Sequence, residues 1–182
     1  MTKDRIFSDK PEVKAVRMNI FKAMVPDKVI KSLDDLSYDE LSARGIDCLL
    51  LDFDNTLGPD HATEPVEFSY KIVNIAREKG FKMCLVSNAR SGRSEGIAKL
   101  LDIPCVTYAH KPRPDGVNRA LKLLGKDKAS AVMIGDQVFT DVIAGRYAGV
   151  YTIMCEKFAR SESWYVMIKR PFEKLVRLIA GF

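Results

Sequence analysis

Between residues 46 and 155, short apolar runs alternate with longer amphipathic stretches. The runs at residues 46–53 (IDCLLLDF), 81–87 (FKMCLVS), 104–108 (PCVTY), 131–135 (AVMIG) and 150–154 (VYTIM) have strand length. Residues 66–79, 93–101, 115–124 and 138–148 instead repeat their apolar positions at helical spacing. Gly80, Gly125 and Gly149 close three of these stretches, at the position where glycine is favoured just past a helix. Regular strand–helix alternation predicts an α/β fold, a doubly wound parallel sheet with helices on both faces.

The chain has 182 residues, enough for one well-buried core and short for two. The expected organisation is a single domain over residues 1–182: an N-terminal extension at 1–45, an α/β core at 46–155 and a C-terminal helical segment at 156–182. Residues 1–10 are charged and lack the apolar centre of a leader, and no stretch reaches the length of a membrane span. A cytoplasmic protein is expected. Cys48, Cys84, Cys105 and Cys155 stand far apart inside apolar runs, so they read as small core residues, neither a metal set nor a disulfide framework.

Both flanks add a second reading. Val13, Val16, Ile20, Phe21 and Met24 share a helical face interspersed with Lys14, Arg17 and Lys22, and the C-terminal segment mixes Trp164, Tyr165 and Ile168 with Lys169 and Arg170. Such faces dock on a core or adsorb to an anionic membrane surface at the inner face of the cell. The net charge of +5 supports contact with anions. No aromatic-interleaved basic motif points to nucleic acid.

Polar residues gather where the apolar runs end. Asp52 and Asp54 close the first run, Ser87 and Asn88 follow the second, His110 and Lys111 the third, and Asp136 with Asp141 the fourth. In an open parallel sheet these ends form one rim, where ligands bind. Two carboxylates about 4 Å apart repel by roughly 4 kcal/mol at an effective dielectric of ~20, so the Asp52–Asp54 pair calls for a cation. His61 and His110 have no metal-ligand partners at useful spacing and read as surface or structural residues.

This set suits phosphoryl transfer, which depends on positioning and on neutralising phosphate charge. Asp52 is the expected nucleophile, giving an aspartyl-phosphate. Asp54 is the expected acid and base, protonating the leaving oxygen and later accepting a proton from water. The Ser87 hydroxyl, the Asn88 backbone N–H and Lys111 can hold phosphate oxygens. Asp52, Asp136 and the main-chain carbonyl of Asp54 offer hard oxygen ligands to Mg²⁺. Asp141 orients Lys111 or a metal-bound water in this scheme, and Thr56 supports the first loop. Each segment has a plainer reading: Asp52-x-Asp54-x-Thr56 as a turn and cap, Asp141 as an acid near a helix start, Ser87-Asn88 as turn chemistry.

Asp52-Phe-Asp-Asn-Thr-Leu57, Ser87-Asn88, Lys111 and Gly135-Asp-Gln-Val-Phe-Thr-Asp141 resemble, in order, the four motifs of the haloacid dehalogenase (HAD) superfamily of phosphatases. Asp54-Asn-Thr-Leu57, Lys111-Pro112 and Gly135-Asp-Gln-x-x-Thr-Asp141 look most like its subfamily IIIA, the YqeG family. The resemblance implies a HAD-like Rossmannoid core and a Mg²⁺-dependent phosphomonoesterase acting through an aspartyl-phosphate. It also implies kinship with a mitochondrial phosphatidylglycerophosphate phosphatase, and hence a lipid phosphate as one candidate substrate. Spacing between the motifs leaves no room for the cap domains of many such enzymes, so a capless, open site is expected. An open rim suits a phosphate carried on a lipid headgroup or a macromolecule. Two other classes fit parts of the pattern: a phosphoaccepting receiver domain, and a binding or assembly factor that keeps the site without catalysis.

Overall fold

A computed structural model describes residues 19–90 and 92–156. In chain order its elements are α1 (Ile20–Ala23), β1 (Lys28–Ile30), α2 (Tyr38–Ala43), β2 (Cys48–Leu51), α3 (Glu67–Glu78), β3 (Lys82–Val86), α4 (Arg93–Leu101), β4 (Cys105–Val106), α5 (Asp115–Leu124), β5 (Ala131–Gly135), α6 (Ile143–Ala148) and β6 (Tyr151–Cys155). The strands form one parallel sheet in the order β1-β6-β5-β2-β3-β4.

Strand alternation sends successive side chains to opposite faces. Leu49 and Leu51 of β2, Met83 and Leu85 of β3 and Ile134 of β5 pack with Ile72 and Val73 of α3 and Ile97 of α4. Cys48 and Leu50, Cys84 and Val86, and Met133 pack on the other face with Val117, Ala120 and Leu121 of α5 and Ala144 of α6. A strand covered on both sides needs no polar face, which is why residues 48–51 read as an unbroken apolar run. Full burial of each Leu contributes about 1.5–3 kcal/mol. The cysteines sit in these layers as expected: burial pushes the Cys48 thiol up to about 11 and the Cys84 thiol to about 12.

The sheet also takes in part of the segment expected to precede the core. β1 pairs with β6, Lys28 opposite Ile153. It is tied in by Asp27, whose carboxylate accepts from Thr152 N (2.8 Å) and Thr152 Oγ1 (2.9 Å) and pairs with Arg146. The core therefore begins near residue 27, not 46. Of the N-terminal amphipathic face, Val13 and Val16 lie outside the described residues, as does the C-terminal segment from residue 157. No helix among the described residues is long and apolar enough to cross a membrane.

A second difference concerns residues 138–148, expected as one helix. Val138–Val142 forms a single wide π-turn before α6. There Asp141 N–H and Val142 N–H both donate to Gln137 O, at 3.0 and 3.3 Å.

After β2 the chain adds β3 and β4 outward on one side, then crosses over to add β5 and β6 on the other. The winding reverses between β2 and β5, the position where open α/β sheets bind their ligands. Asp52 and Asp136 stand on either side of it.

Candidate active site

Asp52 is the first residue beyond β2, and its N–H still donates to Ile134 O of β5 at 2.9 Å, so its backbone position is set by the sheet. Beyond it the chain turns sharply: Phe53 O accepts from Thr56 N–H (3.1 Å), Leu57 N–H (3.0 Å) and Gly58 N–H (3.0 Å). Asn55 takes a left-handed φ of 59° in this turn, which a short polar residue tolerates. Gly58 has no alternative, since a Cβ there would lie 2.6 Å from Phe53 Cζ. Thr56 is buried within the turn. The bend separates Asp52, which points into the rim's buried centre, from Asp54, which points to its edge.

At the centre, Lys111 Nζ donates to Asp52 Oδ1 at 2.6 Å and to Asp141 Oδ1 at 2.7 Å. Lys111 is placed by Asn88, whose side chain accepts from Lys111 N–H at 2.8 Å and donates to Lys111 O at 2.9 Å. The Asn88 side chain thus aligns the lysine loop, a role separate from the phosphate contact expected of its backbone N–H. The Lys111–Pro112 peptide is cis. Asp141 is aimed by the wide turn, with Gln137 N–H donating to its Oδ2 at 3.2 Å. Gly135 lets it approach: a Cβ at that residue would overlap the Asp141 side chain. Ser87 Oγ accepts from Ala89 N–H (3.1 Å) and from Ser94 Oγ (3.0 Å), which leaves the Ser87 hydroxyl proton to donate elsewhere.

Oxygen atoms of Asp52, Asp136 and Asp141 lie within 4.8 Å of one another, and all three residues are buried. Lys111 bonds two of the three. Burial pushes the Asp52 carboxyl well above the usual range; Lys111 pulls it down, and Asp141, Asp54 and Asp136 raise it further. Lys111 shows the converse: burial alone would lower it, but Asp141 and Asp52 more than reverse this and hold it charged. The cluster of carboxylates is compatible with a bound divalent cation. Three hard oxygen donors around one point fit Mg²⁺.

Asp54 is held by a residue the sequence did not single out. Arg93 at the start of α4 forms a bidentate pair with it, Nη1 to Oδ1 at 2.8 Å and Nη2 to Oδ2 at 2.6 Å. Arg93 Nη1 also donates to Ala62 O at 2.9 Å, and the backbone N–H of His61 donates to Asp54 Oδ1 at 3.1 Å. Hydrogen bonds to Asp54 keep the Arg93 guanidinium firmly charged. One local signal was available. A cation in the first turn of a helix opposes the helix dipole, so Arg93 needed a partner outside α4.

All eight predicted residues, Asp52, Asp54, Thr56, Ser87, Asn88, Lys111, Asp136 and Asp141, follow β2, β3, β4 or β5 at one end of the sheet. A model of the haloacid dehalogenase-like hydrolases matches residues 39–149.

The chain belongs to the haloacid dehalogenase-like hydrolase family.

Among curated relatives of this hydrolase, "Probable phosphatase YqeG" of Bacillus subtilis is 29% identical over 159 residues, covering 85% of this chain and 90% of that protein. "Pyrophosphatase PpaX" of Halalkalibacterium halodurans is 30% identical over 114 residues, covering 58% of this chain and 53% of that protein. Among solved structures, a hypothetical protein from Xanthomonas campestris superposes with a TM-score of 0.51 at 15% identity, covering 76% of this chain and 79% of that one. An uncharacterized protein from Listeria monocytogenes does so with the same TM-score at 17% identity, covering 64% and 85%. These two likenesses bear on the fold, an open HAD-like sheet. Among the described residues no folded insertion covers the rim, as the spacing predicted.

Proposed function

We propose that this HAD-type phosphatase hydrolyses phosphomonoesters through an aspartyl-phosphate on Asp52. The observation that carries the reading is the buried centre itself, where Lys111 Nζ stands 2.6 Å from Asp52 Oδ1 within a cluster of three carboxylates at the sheet's switch point.

Asp52, Asp136 and the main-chain carbonyl of Asp54 would hold Mg²⁺, which when bound would supply positive charge favouring ionised Asp52 and a bound phosphate. The chain's own groups account for the remaining steps. An Asp52 carboxylate oxygen forms a bond to phosphorus as the bond from phosphorus to the leaving oxygen breaks, and Asp54 gives that oxygen its proton. Lys111 and the Ser87 hydroxyl hold the non-bridging oxygens as charge shifts onto them. Asp54, again a carboxylate, then takes a proton from water as the water oxygen attacks the aspartyl-phosphate. Inorganic phosphate leaves and Asp52 is restored. Asp141 keeps Lys111 aimed at Asp52. Arg93 grips both Asp54 oxygens in the resting geometry; it releases one as Asp54 turns to the substrate, and Asp54 takes up a proton from solvent before the first transfer.

The substrate class follows from the open rim, which offers a phosphate on a lipid or macromolecule unobstructed approach. A lipid phosphate such as phosphatidylglycerophosphate fits, reached by peripheral contact with an anionic membrane, and the likeness to YqeG supports a place in subfamily IIIA. Phosphate release from p-nitrophenyl phosphate, lipid, sugar, nucleotide and phosphoprotein substrates, with and without Mg²⁺, tests the reading. Asp52→Asn abolishes release if it is right. Release that survives this change, or none from any substrate with several divalent metals, contradicts it. Flotation with anionic vesicles tests the membrane contact, which fails if the chain stays in the soluble fraction at low salt.

A further inference from the structure

Three consecutive residues at the start of α4 each reach a different loop of the rim. Arg93 pairs with Asp54 in the loop after β2, Ser94 Oγ donates to Ser87 Oγ after β3 at 3.0 Å, and Glu95 Oε1 accepts from Thr107 Oγ1 after β4 at 3.2 Å. Further along, Ile97, Ala98 and Leu101 are buried in the core, so the helix is a fixed mount for its first turn. Within that turn Ser94 is the residue turned inward. It is 1% exposed, and a hydroxyl buried so deeply costs free energy unless it is hydrogen-bonded.

The backbone of Ser87 is already set by the sheet. Its N–H donates to Val106 O at 2.9 Å, and its carbonyl accepts from Ala109 N–H at 3.0 Å. Rotation of the hydroxyl is the freedom that remains. A hydroxyl oxygen carries two lone pairs and one proton. Ala89 N–H takes one lone pair at 3.1 Å, and Ser94 takes the other. The proton is then confined to the one tetrahedral direction left over, and Ser87 can act on a third partner only as a donor.

We propose that Ser94 is a positioning residue: by filling the second lone pair of Ser87, it presents the Ser87 hydroxyl to phosphate as a donor of fixed direction. The inference rests on the phosphatase reading above and gives a task to a residue that reaches the reaction only through Ser87. Without Ser94 the second lone pair is open and the hydroxyl rotates, so part of the population turns a lone pair, and not a proton, towards an anion. That penalty grows as charge shifts onto the non-bridging oxygens, so it falls on kcat more than on KM. Because Arg93 and Ser94 are neighbours, one turn of helix holds both the acid–base residue and the phosphate donor.

Ser94→Ala, with p-nitrophenyl phosphate and Mg²⁺, tests the role, and alanine leaves the helix intact because it is the best helix former. We expect kcat to fall about fivefold, the size of one lost hydrogen bond, with KM within about twofold of wild type. In a Ser87→Ala background the same change should alter kcat by less than about 1.5-fold, because the oxygen that Ser94 serves is gone. A purely structural Ser94 would lower Tm in both backgrounds and give the same kcat factor in each. Equal factors in the two backgrounds, or an unchanged kcat in Ser94→Ala, overturn the proposal. The Tm shift produced by orthovanadate with Mg²⁺ makes the same comparison without turnover: Ser94→Ala should shrink it in the wild-type background and leave it unchanged in the Ser87→Ala background, and equal shrinkage in both overturns the role. Hydrolysis by the wild type with additive effects sinks the positioning role alone. No release by the wild type with any of several divalent metals sinks the phosphatase reading and this role with it.

Discussion

Lys111 bridges two of the buried carboxylates, Asp52 and Asp141, and replacing it with Met tests how the centre is held together. Its ammonium lies 2.6 Å from Asp52 Oδ1 and 2.7 Å from Asp141 Oδ1, with side-chain exposures of 3%, 10% and 2% for the three residues. Each contact corresponds to roughly 6 kcal/mol of Coulomb attraction at an effective dielectric of ~20, and desolvation offsets much of this. Removing one partner of a buried pair leaves the other charge uncompensated, which costs about 3–5 kcal/mol. Met matches the length of the lysine stem, so the loss is electrostatic and not a cavity. For a chain of this size, about 4 kcal/mol lowers Tm by about 8–16 °C. The assay is thermal and urea unfolding in EDTA, so that no added metal replaces the lost charge. The double variant Lys111→Met with Asp141→Asn should recover about half of the loss, because it removes one of the two stranded carboxylates. A single variant within about 1 kcal/mol of wild type, or a double variant less stable than the single, would refute this account of the site.

Three further outcomes follow from the same geometry. Asp52 is raised in the folded chain, so the folded state holds its proton longer than the unfolded one. Stability in EDTA therefore falls as pH rises from the unfolded value near ~3.9 through the raised folded value. Asp52→Asn should unfold at a higher temperature than wild type near neutral pH, with the gap closing below about pH 4; a gap independent of pH contradicts the assignment. Saturating Mg²⁺ at about 100 times its dissociation constant should stabilise the wild type by about 2.7 kcal/mol and Asp136→Asn by far less, read as a Tm shift. Equal shifts in both would remove Asp136 from the metal set. Arg93→Ala should lower kcat/KM for p-nitrophenyl phosphate by about tenfold or more through misplacement of Asp54, with little recovery in Arg93→Lys because lysine cannot span both oxygens. Full activity in Arg93→Ala would show that the pair is incidental.

Much of this site was legible because the apolar runs at residues 46–53, 81–87, 104–108 and 131–135 end where polar residues begin, and in a parallel sheet those ends share one rim. Asp52, Ser87, Lys111 and Asp136 were found that way. What escaped depends on contacts between distant residues. β1 has only Val29 and Ile30 as apolar members, and its place in the sheet rests on Asp27 meeting Thr152 across 125 residues. Arg93 finds Asp54 across 39 residues, and only its awkward position at a helix start hinted at it. The wide turn at Val138–Val142 keeps a helical hydrophobic pattern, so periodicity could not separate it from α6. The grip of the Asn88 side-chain amide on Lys111 also escaped, since it leaves no mark on spacing.

The most direct test of the central claim, that Asp52 is the phosphoryl acceptor, is acid-quenched single turnover with a radiolabelled phosphomonoester and Mg²⁺, followed by peptide mapping. The account predicts transient label on the peptide containing Asp52, lost in Asp52→Asn along with phosphate release. Phosphate released at the wild-type rate by Asp52→Asn, with no label ever found on that peptide, would contradict it.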